Sequence, residues 1–204
     1  MGFWEVRLGI VLDSMDQAMS FFKRLDIALD VHWILSTPHQ LIQTTDIGKV
    51  DKYKYASWAD STIEPTPLLM FSLLPYVEKQ AIDLLPDALK GAEVPRAHLM
   101  KMKRLSDRPN MLYPHVDRGR RVAINFYLVC GDETTLFFEP DETTRSLIPV
   151  AEFCAKEGEC WMLDVSKPHA VIMNAATERI GLSLSYRRSR YEDLARRLEM
   201  ASQA

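Results

Sequence analysis

Cysteine is scarce in this sequence, which has three in 204 residues and no CxxC pair: Cys130, Cys154 and Cys160. So few and so widely spaced thiols exclude a disulfide scaffold and predict a reduced, cytoplasmic protein. The eight glycines and eleven prolines follow no period, which excludes collagen-like and solenoid folds. The longest apolar run, 67–77, is interrupted by Ser72 and Pro75 and is too short to cross a bilayer. We therefore expect no membrane association.

A strong excess of one charge is also missing. The 25 lysines and arginines face 28 aspartates and glutamates, which gives a net charge of −3. This balance provides no general attraction to nucleic acid, so we do not expect a nucleic-acid partner. Apolar residues make up 47% of the chain, enough to build a core, which excludes disorder as the main state.

Two segments in the first half have helical periodicity. Residues 14–30 carry apolar side chains at steps of three and four and predict an amphipathic helix, with Ser14 as its cap. Residues 67–90 also predict helix, with Pro75 at a start or a break and Gly91 just beyond the end. Between them, residues 36–66 are polar and interrupted.

This 36–66 segment predicts a long loop with one short strand at 41–44. A loop of this length is usually functional or mobile, and with Trp58 it could cover a site as a lid.

From residue 97 the apolar period changes from 3.6 to 2. Short β-rich runs are separated by turn residues: HLMKMKRL, RVAINFYLV, TTLFFEP, ECWMLDV, HAVIM and RIGLSLSYR. This pattern predicts an antiparallel sandwich, barrel or jelly roll, and the tail 190–202 returns to a helical pattern. No linker is visible, so we expect one domain over 1–204. Its parts are helical support and a long loop (1–95), a mainly β core (96–188) and a C-terminal helix (189–204).

The chemistry begins with His115 and Asp117, two residues apart in YPHVD. On a strand, such residues point to the same face, so an imidazole and a carboxylate would converge. His169 opens another short strand after the turn at SKP. Two histidines and one carboxylate form the facial triad of non-haem Fe(II) sites, which leaves coordination positions open for a co-substrate and O2.

Two strands add candidate anion-binding residues. One face of the strand starting at Arg179 carries that arginine, small residues and Ser183, while the other face is apolar. An arginine that points into a barrel needs an anion, which a dicarboxylate would supply. On the strand 121–129, Asn125 and Tyr127 share one face, and the phenol could share a carboxylate with Arg179.

The set His115-x-Asp117, His169 and Arg179 resembles the iron(II)/2-oxoglutarate-dependent oxygenases, most closely their prolyl hydroxylase and aspartyl/asparaginyl hydroxylase branches. YPHVDRGRRVAINFYLV resembles the family's HxD strand and the following strand, and GECWMLDVSKPHAVIMN resembles the segment around the distal histidine. The likeness spans residues 97–187. One departure is GDETT, which stands in place of the family's GGET turn.

The resemblance implies a double-stranded β-helix that is cupin-like, with flanking helices. It implies Fe(II) held by His115, Asp117 and His169, and 2-oxoglutarate held by Arg179 with Tyr127 and Ser183 as further contacts. Asn125 is a further candidate contact because it shares a strand face with Tyr127. The implied reaction hydroxylates an amino acid, free or in a peptide or protein, using O2 while 2-oxoglutarate becomes succinate and CO2. Asp117 argues against a halogenase, whose iron lacks that carboxylate.

Residues beside the HxD pair could hold a carboxylate or phosphate of the substrate, or could form a solvated basic turn: Tyr113, Arg118, Arg120 and Arg121. Three other functions stay open. The first is an oxidative demethylase of nucleic acid or another small molecule, although Ser185 stands where such relatives carry a second arginine. The second is a cupin-like module that binds metal without turnover, and the third is a metal-free structural β-domain.

Overall fold

The computed structural model describes residues 20–27, 42–44, 50–52, 64–65, 68–91, 93–103, 110–117, 119–131, 133–173 and 178–203. The strands are β1 Phe22–Leu25, β2 Ile42–Thr44, β3 Val50–Lys52, β4 Glu64–Pro65, β5 Leu68–Ser72, β6 Arg96–Lys103, β7 Asn110–Asp117, β8 Val122–Val129, β9 Thr134–Asp141, β10 Ser146–Phe153, β11 Cys160–Asp164, β12 His169–Met173 and β13 Glu178–Tyr186. The helices are α1 Pro75–Asp83, α2 Asp87–Lys90 and α3 Tyr191–Ser202.

The strands form two sheets that are antiparallel except where β4 runs parallel to β7. The large sheet has the order β1-β11-β8-β13-β6-β5-β2, and the small sheet has the order β10-β9-β12-β7-β3. From β6 to β13 the chain winds back and forth between the sheets, so that β6 pairs with β13 and β7 pairs with β12. This is a double-stranded β-helix, and the predicted jelly-roll core is confirmed.

Alternation along the strands separates two interiors. The even-numbered residues of β13 from Leu182 to Tyr186 are buried in a core that the helices cover on the outer side of the large sheet. The opposite face of the same strand carries Arg179, which lines a pocket between the sheets. We call this space the inter-sheet pocket; Met100 of β6, Leu112 of β7 and Asn125 of β8 also line it. The two faces that alternation predicted are therefore real.

The helices close the outer core. Pro75 is the first residue of α1, after an extended Leu74, and Gly91 follows the last residue of α2, as predicted. The predicted C-terminal helix is confirmed as α3, whose Leu194 is buried against the large sheet. Among the described residues, no helix is long and apolar enough to cross a membrane. The three cysteines are free thiols.

Two helix predictions are wrong in part. Within 14–30, Phe22–Leu25 is the strand β1, paired with β11. Residues 20–21 and 26–27, on either side of β1, are not helical, and residues 14–19 and 28–30 lie outside the described residues. Within 67–90, Leu68–Ser72 is the strand β5, paired with β6. Spacings of three suit either structure over such short segments, and the hydrogen bonds of the neighbouring strand decided between them.

The 36–66 segment is not one continuous loop. The predicted strand near 41–44 is present as β2, but β3 and β4 were not predicted, and both pair with β7. Trp58 lies outside the described residues. The strand β10 was also missed, because Pro149 and a register shift at Pro149/Ala151 interrupt its alternation.

Candidate metal centre

His115 and Asp117 end β7, and His169 begins the neighbouring β12, where it pairs with His115. The register shifts between this pair and the next, Val171 with Leu112, so β7 has one residue more than β12 over this stretch. Because of this bulge, Leu112 and His115 both line the inter-sheet pocket although they are three residues apart. Strict alternation would have placed them on opposite faces of the sheet.

Backbone carbonyls orient both imidazoles. Nδ1 of His115 donates to the carbonyl of Tyr113 at 2.6 Å, and Nδ1 of His169 donates to the carbonyl of Lys167 at 2.9 Å. A carbonyl can only accept, so each neutral ring keeps a lone pair on Nε2. Nε2 of His115 lies 3.6 Å from Oδ1 of Asp117, and the ligand atoms of His115, Asp117 and His169 lie within 4.8 Å of one another.

The environment sets the charges that a metal site needs. Burial, followed by the neighbouring His169, lowers the pKa of His115 to about 3, and burial also lowers the pKa of His169. Burial alone would raise the pKa of Asp117, but the charge of Arg120, the two neighbouring histidines and the hydrogen bond from Arg120 together outweigh burial, and the pKa is lowered. At neutral pH the site therefore holds two neutral imidazoles and a carboxylate.

Arg120 is a site residue whose position the sequence did not reveal, since it stood only as one member of a basic cluster. Its Nε donates to Oδ2 of Asp117 at 2.5 Å. Its Nη1 donates to the hydroxyls of Ser183 at 3.1 Å and Ser185 at 3.4 Å, both on β13. Arg120 thus links the end of β7 in the small sheet to β13 in the large sheet.

A second polar cluster surrounds Arg179, which is only 5% exposed. Its Nη2 donates to the hydroxyl of Tyr127 at 3.1 Å, and its guanidinium lies over the Tyr127 ring at 4.9 Å. Its Nε lies 3.7 Å from Oε1 of Glu133, a buried carboxylate that sequence analysis did not identify. Burial raises the pKa of Tyr127, so the phenol stays protonated at neutral pH.

Of the remaining predicted residues, Asn125 lines the inter-sheet pocket, whereas Ser183 and Tyr113 have other surroundings. Asn125 lines the inter-sheet pocket, and its buried Oδ1 has no hydrogen-bond partner among the described residues. Ser183 is buried beside Arg120 rather than in contact with Arg179. Tyr113 packs against the cluster of Met111 and Phe138 on the opposite face of the small sheet.

Of the two flanking arginines, one lies among the described residues, outside the inter-sheet pocket. Arg121 is exposed and lines a separate surface cavity with Lys167 and Arg196. Arg118 lies outside the described residues.

The donor set fits a divalent cation. Two Nε2 atoms and one carboxylate oxygen converge at one point of the inter-sheet pocket, and the atoms not needed for coordination are already hydrogen-bonded. Such bonds to the outer nitrogens are the usual support of metal-bound histidines. The combination of imidazole and carboxylate suits Fe(II) and its neighbours in the first transition row.

No protein-family model matches the chain, and no curated protein is similar to it. Among solved structures, a prolyl-4-hydroxylase from Pseudomonas putida is similar over 89% of this chain and 99% of its own, at 15% identity and a TM-score of 0.48. A 2OG-Fe(II) oxygenase family oxidoreductase from Burkholderia pseudomallei is similar over 76% of each chain, at 15% identity and a TM-score of 0.43. A prolyl hydroxylase from Trichoplax adhaerens, in complex with a hypoxia inducible factor peptide fragment, is similar over 96% of each chain, at 13% identity and a TM-score of 0.43.

Proposed function

We propose that the protein is an Fe(II)- and 2-oxoglutarate-dependent oxygenase. One observation carries this proposal: a His-Asp-His cluster and a buried arginine with a phenol line or border the same inter-sheet pocket. A β-domain that only stores metal needs the His-Asp-His cluster but not the buried arginine, and a purely structural β-domain needs neither. An enzyme that binds a dicarboxylate through the metal at one end and through a cation at the other needs both.

The metal would be held by Nε2 of His115, Nε2 of His169 and Oδ1 of Asp117. Because both histidines are neutral in the folded chain, the site needs no proton release from them at neutral pH. Three protein ligands leave positions for a bidentate keto acid and for O2. When bound, Fe(II) with these co-substrates supplies the oxidant that attacks a C–H bond, while 2-oxoglutarate becomes succinate and CO2.

The distal carboxylate of 2-oxoglutarate would be bound by Arg179 and Tyr127. Glu133 lies at Nε of the guanidinium, while Nη2 donates one N–H to Tyr127 and Nη1 donates one to the sulfur of Met102. Each Nη carries a second N–H, which would donate to the co-substrate. Asn125, with an Oδ1 that lacks a partner among the described residues, borders the same space. Ser183 is better placed to support Arg120 than to contact the co-substrate.

The rest of the pocket can exclude water from the reaction. Its lining includes six apolar side chains: Met100, Met102, Leu112, Leu163, Val165 and Val171. We propose that the substrate is an amino acid, free or within a peptide or protein. This part of the proposal comes from the resemblance to the prolyl and aspartyl/asparaginyl hydroxylases.

The test is anaerobic visible absorption of the protein with Fe(II), with and without 2-oxoglutarate. A charge-transfer band should appear only with both, should be lost in His169→Ala, and should need much more 2-oxoglutarate in Arg179→Ala. Arg121→Ala, an exposed arginine in another cavity, is the matched control and should behave like the wild type. A succinate-release screen over amino acids and peptides would then identify the substrate.

Each negative result has a distinct meaning. If the folded, iron-loaded protein shows no band, 2-oxoglutarate is excluded as the co-substrate, and the cupin-like binding module is favoured. A folded protein that binds no Fe(II) would overturn the metal centre itself.

A further inference from the structure

The turn between β7 and β8 carries Arg120 back over the metal site. Asp117 ends β7, and two residues later Gly119 has φ +80°, a conformation that favours glycine. Arg120 follows directly and meets Asp117 through Nε. The turn therefore presents a guanidinium to the carboxylate that would bind the metal.

The contact divides the two oxygens of Asp117. Oδ1 faces Nε2 of His115 at 3.6 Å, on the side where the three ligand atoms converge. Oδ2 accepts the hydrogen bond from Arg120 at 2.5 Å. A charge-assisted bond of this kind is strong and directional, so it restrains rotation of the carboxylate.

Arg120 is itself anchored from the other sheet. The hydroxyls of Ser183 and Ser185 both accept from Nη1, and Ser183 is fully buried. The side chain of Arg120 is 16% exposed, against 8% for Asp117. A partly buried guanidinium with partners on two sides is held in one place, which a flexible surface arginine would not achieve.

From this geometry we infer that Arg120 is a positioning residue that keeps Asp117 a one-oxygen ligand of the metal. With Oδ2 engaged, only Oδ1 reaches the cation, and the coordination position that a second oxygen would occupy stays open. The inference rests on the proposed function, because it concerns the same metal centre. It assigns the role to a side chain that would not touch the metal.

The positioning role and simple charge repulsion predict opposite effects of removing Arg120 on metal affinity, and this makes the inference testable. A guanidinium beside a divalent cation repels it, so removing Arg120 should tighten metal binding if repulsion dominates. If positioning dominates, removing it should weaken binding, as loss of a hydrogen-bond partner of a metal ligand typically does by about 10–100-fold. The sign of the change therefore separates the two accounts.

The experiment measures Mn(II) affinity of the full-length protein by calorimetry for the wild type, Arg120→Gln, Arg120→Lys and the control Arg121→Gln. We expect Arg120→Gln to weaken binding about 10–100-fold and Arg120→Lys about 10-fold, because lysine keeps the charge but cannot hold Asp117 and both serines together. Arg121→Gln should match the wild type. A Ser183→Ala/Ser185→Ala variant, which keeps Arg120, should weaken binding severalfold even if the arginine variants fold poorly.

A second measurement reports coordination directly. The water-proton relaxivity of the Mn(II) protein rises with the number of metal-bound waters, so conversion of Asp117 to a two-oxygen ligand should lower it by about one third, from three open positions to two. We expect this loss in Arg120→Gln and not in Arg121→Gln.

The outcomes separate the two proposals. If the wild type binds no Mn(II), the metal centre and the proposed function fall, and the role of Arg120 falls with them. If the wild type binds Mn(II) while Arg120→Gln binds it equally or more tightly with unchanged relaxivity, only the positioning role is overturned.

Discussion

The pair formed by Arg179 and Glu133 permits a prediction whose size follows from the structure. The two side chains are 5% and 2% exposed, and Nε lies 3.7 Å from Oε1. At an effective dielectric constant of about 20, unit charges at that separation attract by about 4 kcal/mol. Removing one partner leaves the other charge buried and unpaired, which typically costs about 3–5 kcal/mol.

We therefore expect Arg179→Met and Glu133→Gln each to lower the free energy of unfolding by about 3–5 kcal/mol. The double variant should lie within about 1 kcal/mol of the wild type, because replacing both members of a buried pair with neutral side chains is often neutral. Urea unfolding of the metal-free protein, followed by circular dichroism, measures all four corners of the cycle. Simple additivity of the two single losses would refute the reasoning, since it would mean that the two charges do not interact.

The same variants separate stability from co-substrate binding. With Mn(II) bound, a 100-fold excess of 2-oxoglutarate over its dissociation constant should stabilise the wild type by about 2.7 kcal/mol. The double variant should have nearly the stability of the wild type but lacks the guanidinium. The same concentration of 2-oxoglutarate should therefore leave its unfolding midpoint unchanged. A full shift in the double variant would exclude Arg179 as the co-substrate anchor.

Three further predictions test individual contacts. Tyr127→Phe removes the hydroxyl that Arg179 binds at 3.1 Å and should raise the dissociation constant of 2-oxoglutarate about fivefold, measured by titrating the charge-transfer band, with Mn(II) affinity unchanged. Glu93 has its pKa lowered: partial burial opposes this, but the backbone N–H groups of 187–189 donate to its carboxylate and outweigh burial. Because the pKa is lower in the folded state, the Glu93 carboxylate stabilises the fold above the unfolded pKa, and this stabilisation is lost as pH falls through the folded pKa. Glu93→Gln should therefore lower the free energy of unfolding by about 1–2 kcal/mol at pH 7, and by less at acidic pH. Urea unfolding at both pH values measures the difference. Gly119→Ala meets no atom within 4 Å but is strained at φ +80°, so it should lower stability by about 1 kcal/mol and weaken Mn(II) binding; calorimetry that finds Mn(II) affinity unchanged would mean that the turn does not position Arg120.

Strand alternation made much of the core predictable. Along β8 and β13 every second residue is apolar, and those residues are the ones buried beneath the helices. The opposite residues, Asn125 and Arg179, line the inter-sheet pocket as their position on the strand predicted. The ligand types were also visible, because histidines are few and His115 stands two residues from Asp117.

Other features depended on partners far away in the sequence. Phe22–Leu25 and Leu68–Ser72 are strands because β11 and β6 offer free edges, which no local spacing encodes. Glu133, the residue just before β9, belongs to the site because its carboxylate lies beside Arg179, which is 46 residues further along the chain. The 112–115 bulge turns His115 inward through its pairing with β12.

The sequence by itself determined the residue types of the centre and the alternating strands that carry them, because both are local properties of the chain. Only the tertiary structure decided which donor atoms converge, since that depends on the register between β7 and β12 and on the two carbonyls that orient the rings. It also decided that Arg120 binds Asp117 rather than solvent, because Ser183 and Ser185 reach it from the opposite sheet. Hydrogen bonds between sheets join residues more than 60 positions apart, and no short-range pattern specifies them.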